Sequence, residues 1–164
     1  MTSKRSTTLA ALLLAAALGF AAWAGAGYLG RGTDQGATRD EVLATARQAV
    51  ATFNTLDYRQ ADQGLDRWLA SSTGTLHDEL TRTRDSSRQR IEAAKTVTEG
   101  RVVDAAVTEL DTARGTAEVL AAVETVVVPD GGQATTKRGR FQAELTRTET
   151  GWRLSALAQV PVTT

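Results

Sequence analysis

His77 is the only histidine of this 164-residue chain, and two carboxylates, Asp78 and Glu79, follow it directly. A histidine beside carboxylates is a candidate general acid or base, because its ordinary pKa lies near neutral pH. The neighbouring sequence predicts an exposed helix next to a glycine, which favours a surface role over a catalytic one. One histidine in a chain without cysteine also cannot form an ordinary zinc site. We therefore expect no catalytic residue, no cofactor and no metal ion.

Asp57 and Tyr58 are a second pair of polar side chains that could take part in chemistry. They stand at the expected end of a helix, where a tyrosine ring packs inward and an aspartate caps the following turn. The sequence has no glycine-rich phosphate loop, no Gly-x-Ser-x-Gly nucleophile and no acidic calcium loop. Gly131 and Gly132 predict a hairpin turn instead. These patterns favour a non-enzymatic protein.

The composition excludes several classes of function. With Lys4 and Arg5 set aside as a short N-terminal cap, 17 basic residues remain against 19 acidic ones, a net charge of −2. This balance does not suggest nucleic-acid binding, so we expect no nucleic-acid partner. The absence of cysteine removes disulfides, thiolate nucleophiles and cysteine metal sites.

Residues 7–30 carry no charged side chain, and they lie between Lys4-Arg5 and Arg31. At a rise of about 1.5 Å per residue, a helix of this length crosses a hydrocarbon layer of roughly 30 Å. Basic residues before such a segment are typical of the cytoplasmic side. We expect a single-pass plasma-membrane protein, with a cytoplasmic tail at 1–6 and the bulk of the chain outside the cytoplasm.

The same segment leaves a second interpretation open. A cleaved secretory signal also begins with positive charge and ends in a small-x-small motif, which Ala22-Trp23-Ala24 or Ala24-Gly25-Ala26 would supply. The uncharged run exceeds the apolar core of about 7–15 residues that such signals have. A retained signal anchor is therefore favoured.

After the membrane segment, residues 31–37 are rich in glycine and predict a flexible tether, and residues 38–164 predict one outer domain. The first half of this domain has helical periodicity. Thr38 and Glu41 fit a capping box at the start of the first helix. The predicted helices cover about 38–56, 61–72 and 75–99, and Gly100 is expected to end the third.

Beyond Gly100 the apolar residues alternate with a period of two, which predicts strands. Helices followed by an antiparallel meander indicate an α+β domain, in which helices pack on one face of a curved four-stranded sheet. The second strand, with about 13 residues, is long enough to need a bend or a bulge. The four predicted strands cover 101–110, 116–128, 140–146 and 152–159.

Two sets of side chains are candidates for binding. The first consists of large aromatic residues that either line a cavity of the outer domain or belong to its core. The second consists of alternating charges on the third helix, which indicate either a face for a protein partner or a solvated, ion-paired surface. The aromatic residues are Phe53, Tyr58, Trp68, Phe141 and Trp152, and the charged residues are Arg82, Arg84, Asp85 and Arg88.

The order of spanning segment, tether, helices and four-stranded meander resembles the Mce-associated membrane proteins. Local matches extend over almost the whole chain. They begin in the first helix, which ends at Thr55-Leu56-Asp57-Tyr58, and they continue to the Gly-Trp pair before the last strand. The resemblance implies a cone-shaped, nuclear transport factor 2-like fold for the outer domain. The matching segments are 46–58, 69–80, 95–107 and 151–160.

The resemblance also implies a function. Mce systems carry lipids or sterols across the actinobacterial cell envelope, and these proteins are accessory or scaffold subunits beside them. The implied partners are other envelope transport subunits, with lipid contact left open, and no catalytic residue is attributed to the family. Two alternatives remain: a carrier that holds a hydrophobic small ligand in its cavity, and a scaffold of a type IV secretion or conjugation system. A cone-fold enzyme would need a polar cluster in the cavity that the predicted strands lack.

Overall fold

The computed structural model of the protein describes residues 35–161. The predicted cytoplasmic tail (1–6) and membrane-spanning segment (7–30) lie outside these residues, as does the start of the predicted tether (31–37). Within the described range, no helix combines the length and the apolarity needed to cross a membrane. From Arg39 onward the described residues form one compact unit.

Three α-helices come before the long strands in the described chain, so the predicted α+β class is confirmed. The helices are α1 (35–53), α2 (Ala61–Ser71) and α3 (Gly74–Ala94). The strands are β1 (Leu56–Asp57), β2 (Thr96–Asp111), β3 (Thr116–Pro129), β4 (Thr135–Thr148) and β5 (Gly151–Val160). A short 3-10 helix, Tyr58–Gln60, joins β1 to α2.

The sheet has five antiparallel strands in the order β1-β2-β3-β4-β5, whereas the sequence predicts four. The additional strand, β1, has only two residues, Leu56 and Asp57, which pair with Thr98 and Val97. Sequence periodicity assigns Leu56 to the first helix because it continues the apolar spacing of that helix. A two-residue strand has no alternation of its own, so only its pairing with β2 reveals it.

Helix α1 ends at residue 53 because the next two side chains bond back to its carbonyl groups. Asn54 Nδ2 donates to the carbonyl of Val50 (2.8 Å), and Thr55 Oγ1 donates to that of Ala51 (2.8 Å). The last carbonyls of a helix otherwise lack partners within it. These two bonds stop the helix and turn the chain into β1.

The third helix ends earlier than predicted. α3 stops at Ala94, and Lys95 adopts the left-handed conformation that closes many helices (φ 47°, ψ 47°). Gly100, which the sequence predicts as the helix end, lies inside β2, because the β-branched residues from Thr96 onward favour a strand. The start of the first helix also differs: α1 is already helical at residue 35, so the capping box at Thr38 does not begin it.

Three β-bulges curl the sheet. β2 contains two extra residues relative to β3, Val103 and Thr108, and β5 contains one, Ser155, relative to β4. A bulge increases the local right-handed twist of a strand pair. The bulges do not lie in the second long strand, β3, for which the sequence predicts a bend or a bulge; their extra residues belong to its neighbour β2 and to β5.

The core lies between α1 and one face of the sheet. From α1 it takes a buried stripe with helical spacing, namely Val42, Ala46, Ala49 and Val50. From the sheet it takes alternate residues, among them Val107, Val119, Ala121, Ala143, Leu145, Trp152 and Leu154. Successive side chains of a strand point to opposite faces, so the intervening residues of β2–β5 lie on the other side of the sheet.

Candidate functional site

The face of the sheet opposite α1 is exposed, and we refer to it as the open face. Cross-strand pairing arranges its side chains in successive rows, and we name the four neighbouring rows that cross β3 from Glu118 to Glu124. The acidic row is Glu109, Glu118 and Glu144; the central row is Ala106, Leu120, Gln142 and Ala158; the Arg140 row is Asp104, Ala122, Arg140 and Val160; the Arg138 row is Arg101, Glu124 and Arg138.

The acidic row places three carboxylates on adjacent strands. Glu109 pairs with Glu118, and Glu118 pairs with Glu144. Thr108 Oγ1 donates to Glu118 at 3.1 Å, but within residues 35–161 none of the three carboxylates has a basic partner. They help to line a concavity of about 180 Å³. Like charges directly opposite one another in a sheet repel, so this end of the open face favours cationic groups.

The other end of the open face carries arginines. Glu124 accepts hydrogen bonds from Arg138 (3.0 Å) and Arg101 (3.1 Å), and these bonds hold the pKa of its carboxyl below the ordinary value of 4.5. Arg140, one row nearer the centre, is exposed and has no acidic partner among the described residues. A groove of about 420 Å³ lies at this end, lined by Ala122, Arg138 and Arg140 among others.

Apolar side chains occupy the middle of the open face. Leu120 is 41% exposed, and Val103, at the first bulge of β2, is 50% exposed. Ala106 and Ala158 flank Leu120 and Gln142 in the central row and are exposed as well. Single exposed apolar residues are ordinary, but an apolar patch with charged groups on both sides is typical of an interaction surface.

The structure brings together only two of the five predicted aromatic residues. Phe53 and Trp68 stack with ring centroids 5.4 Å apart, and Trp68 Nε1 donates to the carbonyl of Thr52 at 2.9 Å. Trp152 lies in the core, where its Nε1 has no hydrogen-bond partner among the described residues. Phe141 packs against the core from the sheet.

Tyr58, the fifth of these aromatic residues, belongs to the 3-10 helix and lies beside the Arg59 guanidinium. The distance from the Tyr58 ring centroid to Arg59 Cζ is 5.8 Å. It makes no ring contact with the other four. The five predicted aromatic residues therefore lie in at least three separate places in the fold.

The predicted charged face of α3 divides into two parts. Arg84 bonds to Asp66 (2.7 Å) and contacts Asp62 (3.5 Å), both on α2, and these carboxylates raise its pKa. Arg88 pairs with Glu92 one turn further along α3 (3.0 Å). The remaining two residues of the set, Arg82 and Asp85, are exposed and have no ionic partner within the described range. Of this set, Arg84 therefore joins α3 to α2, and Arg88 is paired within α3.

The two polar pairs noted in the sequence have local structural contacts. His77 Nδ1 donates to the carbonyl of Leu69 (3.1 Å) and lies 3.3 Å from Ser72 Oγ, at the connection between α2 and α3. Asp57 caps the 3-10 helix by accepting from the backbone N–H of Arg59, as the sequence predicts. The Arg59 guanidinium also lowers the pKa of Asp57.

Among residues 35–161, no group of three or more histidine, cysteine or acidic side chains is arranged to hold a metal ion.

Sequence reasoning did not identify the open face. The signal was present in β3, where Glu118, Leu120, Ala122 and Glu124 alternate with core residues. The grouping of like charges was not visible, because it depends on which residues of β2 and β4 stand opposite them. Pairing register is a tertiary property that a single strand does not contain.

The fold is similar to that of several solved structures. An IcmL-like type IV secretion system protein from Legionella pneumophila has a TM-score of 0.62 and 11% identity, over 77% of this chain and 94% of that chain. The periplasmic domain of DotI has a TM-score of 0.61 and 16% identity, over 74% and 94%. VirB8 from Agrobacterium tumefaciens has a TM-score of 0.52 and 12% identity, over 74% and 92%.

These identities are low, so the comparison establishes the fold alone: a curled antiparallel sheet with helices, as in the nuclear transport factor 2-like VirB8 and DotI domains. No curated protein matches the sequence. A family model covers nearly the whole chain, including the segment before the described residues. It matches residues 4–161, and the chain belongs to the family that this model describes as "Uncharacterized protein Rv1363c/MT1408-like".

Proposed function

We propose that the protein is a non-enzymatic scaffold subunit of a type IV secretion or conjugation complex in the cell envelope, and that its outer domain acts through contacts with other proteins. One observation carries this proposal. The similarity to the DotI periplasmic domain extends over 94% of that domain, so the outer domain of this chain matches it as a whole unit. The Legionella pneumophila and Agrobacterium tumefaciens structures repeat the match at similar coverage.

The contacts of the polar residues support a scaffold role over catalysis. His77 and Asp57 are engaged at the ends of helices, and Arg84 joins α3 to α2. The open face instead combines an apolar middle with charged ends, which suits a protein surface better than a small substrate. The proposal therefore includes no catalytic residue.

Membrane attachment is part of the proposal. The uncharged segment 7–30, with Lys4 and Arg5 before it, supports a single-pass anchor in the plasma membrane with the outer domain outside the cytoplasm. A scaffold subunit needs to be held beside its neighbours, and such an anchor would restrict it to the membrane surface. Cleavage of the segment would remove this restriction.

The test is affinity capture of the full chain, tagged after Thr164, from detergent-solubilised membranes. We expect secretion or conjugation components among the captured proteins. Leu154→Asp is the matched control, because it places a charge in a fully buried core position and leaves the membrane segment intact. Proteins captured equally by both variants bind outside the folded domain. If the folded domain captures no envelope proteins, the proposal is wrong.

A second candidate is an accessory subunit of an Mce-type lipid or sterol transport system. The terminal segment from Gly151 favours this candidate. The residues through which this segment resembles the Mce-associated proteins are also residues on which the fold depends. Gly151 turns the chain into β5 with φ 109°, and Trp152 and Leu154 enter the core. The same capture experiment separates the candidates, because recovery of Mce transport subunits would favour this one.

The hydrophobic-carrier alternative has less support. Phe53 stacks on Trp68, and Trp152 is packed in the core, so three of the aromatic side chains that would line a ligand cavity already have protein contacts.

A further inference from the structure

The open face has an uneven distribution of charge that its own ion pairs do not neutralise. At one end, the acidic row presents three carboxylates without a basic partner in the described chain. At the other end, Arg101 and Arg138 share the single carboxylate of Glu124, and Arg140 has no acidic partner. Asp104 does not offset them, because Arg47 of α1 lies 3.8 Å from its carboxylate. Glu99 lies one row further out on the same face, so three arginines stand against two carboxylates, and the arginine end keeps an excess of positive charge.

Between these ends lies the central row, where Ala106, Leu120 and Ala158 are exposed. Along the strand direction, the face is therefore first negatively charged, then apolar and then positively charged. A surface with this order is complementary to itself when one copy is turned end over end. We propose that two copies of this chain associate face to face through their open faces, in a symmetric pair whose two-fold axis runs across the strands along the central row.

The charge pattern selects this axis over the alternative. An axis across the strands reverses the strand direction and sets the acidic row of each copy against the Arg140 row of the other. Glu144 and Arg140 both belong to β4, and they stand two positions from Gln142 of the central row, on opposite sides of it. They therefore come opposite each other, twice per pair. The same axis sets Glu109 opposite Asp104, whose charge is offset by Arg47 at 3.8 Å. An axis along the strands would set the acidic rows against each other, which repulsion disfavours.

The size of the face predicts a weak pair. Four strands about 4.8 Å apart and four rows about 6.8 Å apart cover roughly 500 Å² in projection. This is smaller than the roughly 800 Å² per partner of a standard stable interface, so association should depend on concentration. Sheets packed in this way lie about 10 Å apart, which brings the two copies of Leu120 into contact. Attachment of both copies to one membrane would raise their effective concentration.

The chain contains no cysteine, so thiol-specific crosslinking can be directed to a single position. Leu120→Cys places one thiol per copy near the proposed axis. Backbones about 10 Å apart are too far for a disulfide, but a short bis-maleimide crosslinker can join the two thiols. Arg82→Cys places a thiol at an exposed position of α3, away from the open face, and is the control. When the bis-maleimide is added to membranes that contain the full chain, we expect a crosslinked homodimer for L120C and little or none for R82C.

Charge reversal then tests the contact between Arg140 and Glu144. In the L120C background, Arg140→Glu and Glu144→Arg should each lower the homodimer yield about tenfold at low salt, because like charges then meet at both symmetric positions. Coexpression of the two variants with different tags should restore crosslinking between them, since every mixed contact is again between opposite charges. Glu144→Arg also relieves repulsion within the acidic row, so misfolding would not explain its loss of crosslinking.

Other outcomes would overturn the proposal. They are equal crosslinking of L120C and R82C, unchanged yield for both charge variants, no rescue in the mixture, or an L120C crosslink only to a different polypeptide. The inference does not depend on the proposed secretion or transport partners. Homodimer formation without any captured envelope protein would contradict the proposed function alone.

Discussion

At the scale of single residues, Lys95 shows where the chain accepts an unfavourable conformation. It is the one non-glycine residue with positive φ in the described part of the chain, at the junction of α3 and β2. The junction is held by a backbone hydrogen bond, in which the Lys95 carbonyl accepts from the backbone N–H of Asp130 at 2.8 Å. A lysine in this conformation has a steric cost that glycine avoids.

Lys95→Gly should therefore stabilise the fold by about 0.5–1 kcal/mol, since relief of the left-handed strain exceeds the extra flexibility of the unfolded chain. The measurement is chemical denaturation of the purified full-length protein. Lys95→Ala is the control and should give no such gain, because alanine retains the Cβ that causes the strain. Equal stabilisation by both variants would assign the effect to loss of the lysine charge.

Glu124 gives a pH-dependent prediction at the same scale. Its bonds to Arg138 and Arg101 hold its pKa in the folded state below the ordinary value of 4.5. A carboxylate whose pKa is depressed by folding stabilises the fold above its unfolded pKa, and this contribution is lost as pH falls through the folded value. We expect wild type to melt slightly above Glu124→Gln at neutral pH, and the difference to shrink below pH 4.5.

Glu149→Gln removes the same charge from a residue with no basic partner in the described chain, and it serves as the control. A melting difference for Glu124→Gln that persists unchanged to acidic pH would contradict the prediction. The effect should be small, because both arginines of the contact are largely exposed.

At the scale of elements, the close approach of β2 to the end of α1 determines how the sheet meets the helices. Gly100 allows this approach, because a Cβ there would lie 2.3 Å from Asn54 Cβ and 3.0 Å from the Asn54 carbonyl. Its backbone N–H also donates to Thr55 Oγ1 at 3.0 Å. The glycine that resembles a helix terminator in the sequence is therefore a packing residue of a strand.

Gly100→Ala should destabilise the fold by about 1–3 kcal/mol, because Asn54 is part of the chain reversal and its backbone has little room to move. Gly64→Ala in α2 is the matched comparison. The new Cβ at residue 64 would lie too close chiefly to a terminal methyl of Leu56, and a change of the Leu56 rotamer can relieve this contact. Thermal melts of the two variants should show the larger loss for Gly100→Ala, and the reverse order would contradict this account.

The sequence was most informative where an element has local determinants. The strands after Gly115 alternate clearly, and the turns at Gly131 and Gly151 have the positive φ that glycine supplies, so β3, β5 and these turns were predicted. β4 begins earlier than predicted, at Thr135, because its first residues are polar and reveal no alternation of burial. β1 and the start of β2 depend on pairing with each other, which no local pattern encodes. The open face escaped prediction for the same reason.

At the scale of the whole molecule, the prediction of an anchor gives the chain a fixed topology. A reporter enzyme that is active only outside the cytoplasm, fused after Thr164, should be active, because Lys4 and Arg5 favour a cytoplasmic N-terminus. Reporter activity in the cytoplasm alone would overturn the predicted orientation. The mass of the membrane-bound protein tests cleavage, since a retained anchor keeps the full chain length.

The bulges of β2 limit how large an assembly of this domain can become. β1 covers only two residues of the outer edge of β2, and no other strand of the described chain pairs with that edge. A straight, bare edge accepts strands from further molecules, and repeated addition produces an open-ended ribbon. Val103 and Thr108 interrupt this edge, and Arg39 Nη2 occupies the carbonyl of Val107 (2.6 Å). Strand-by-strand polymerisation is thereby discouraged, whereas the proposed face-to-face association would stop at a closed pair.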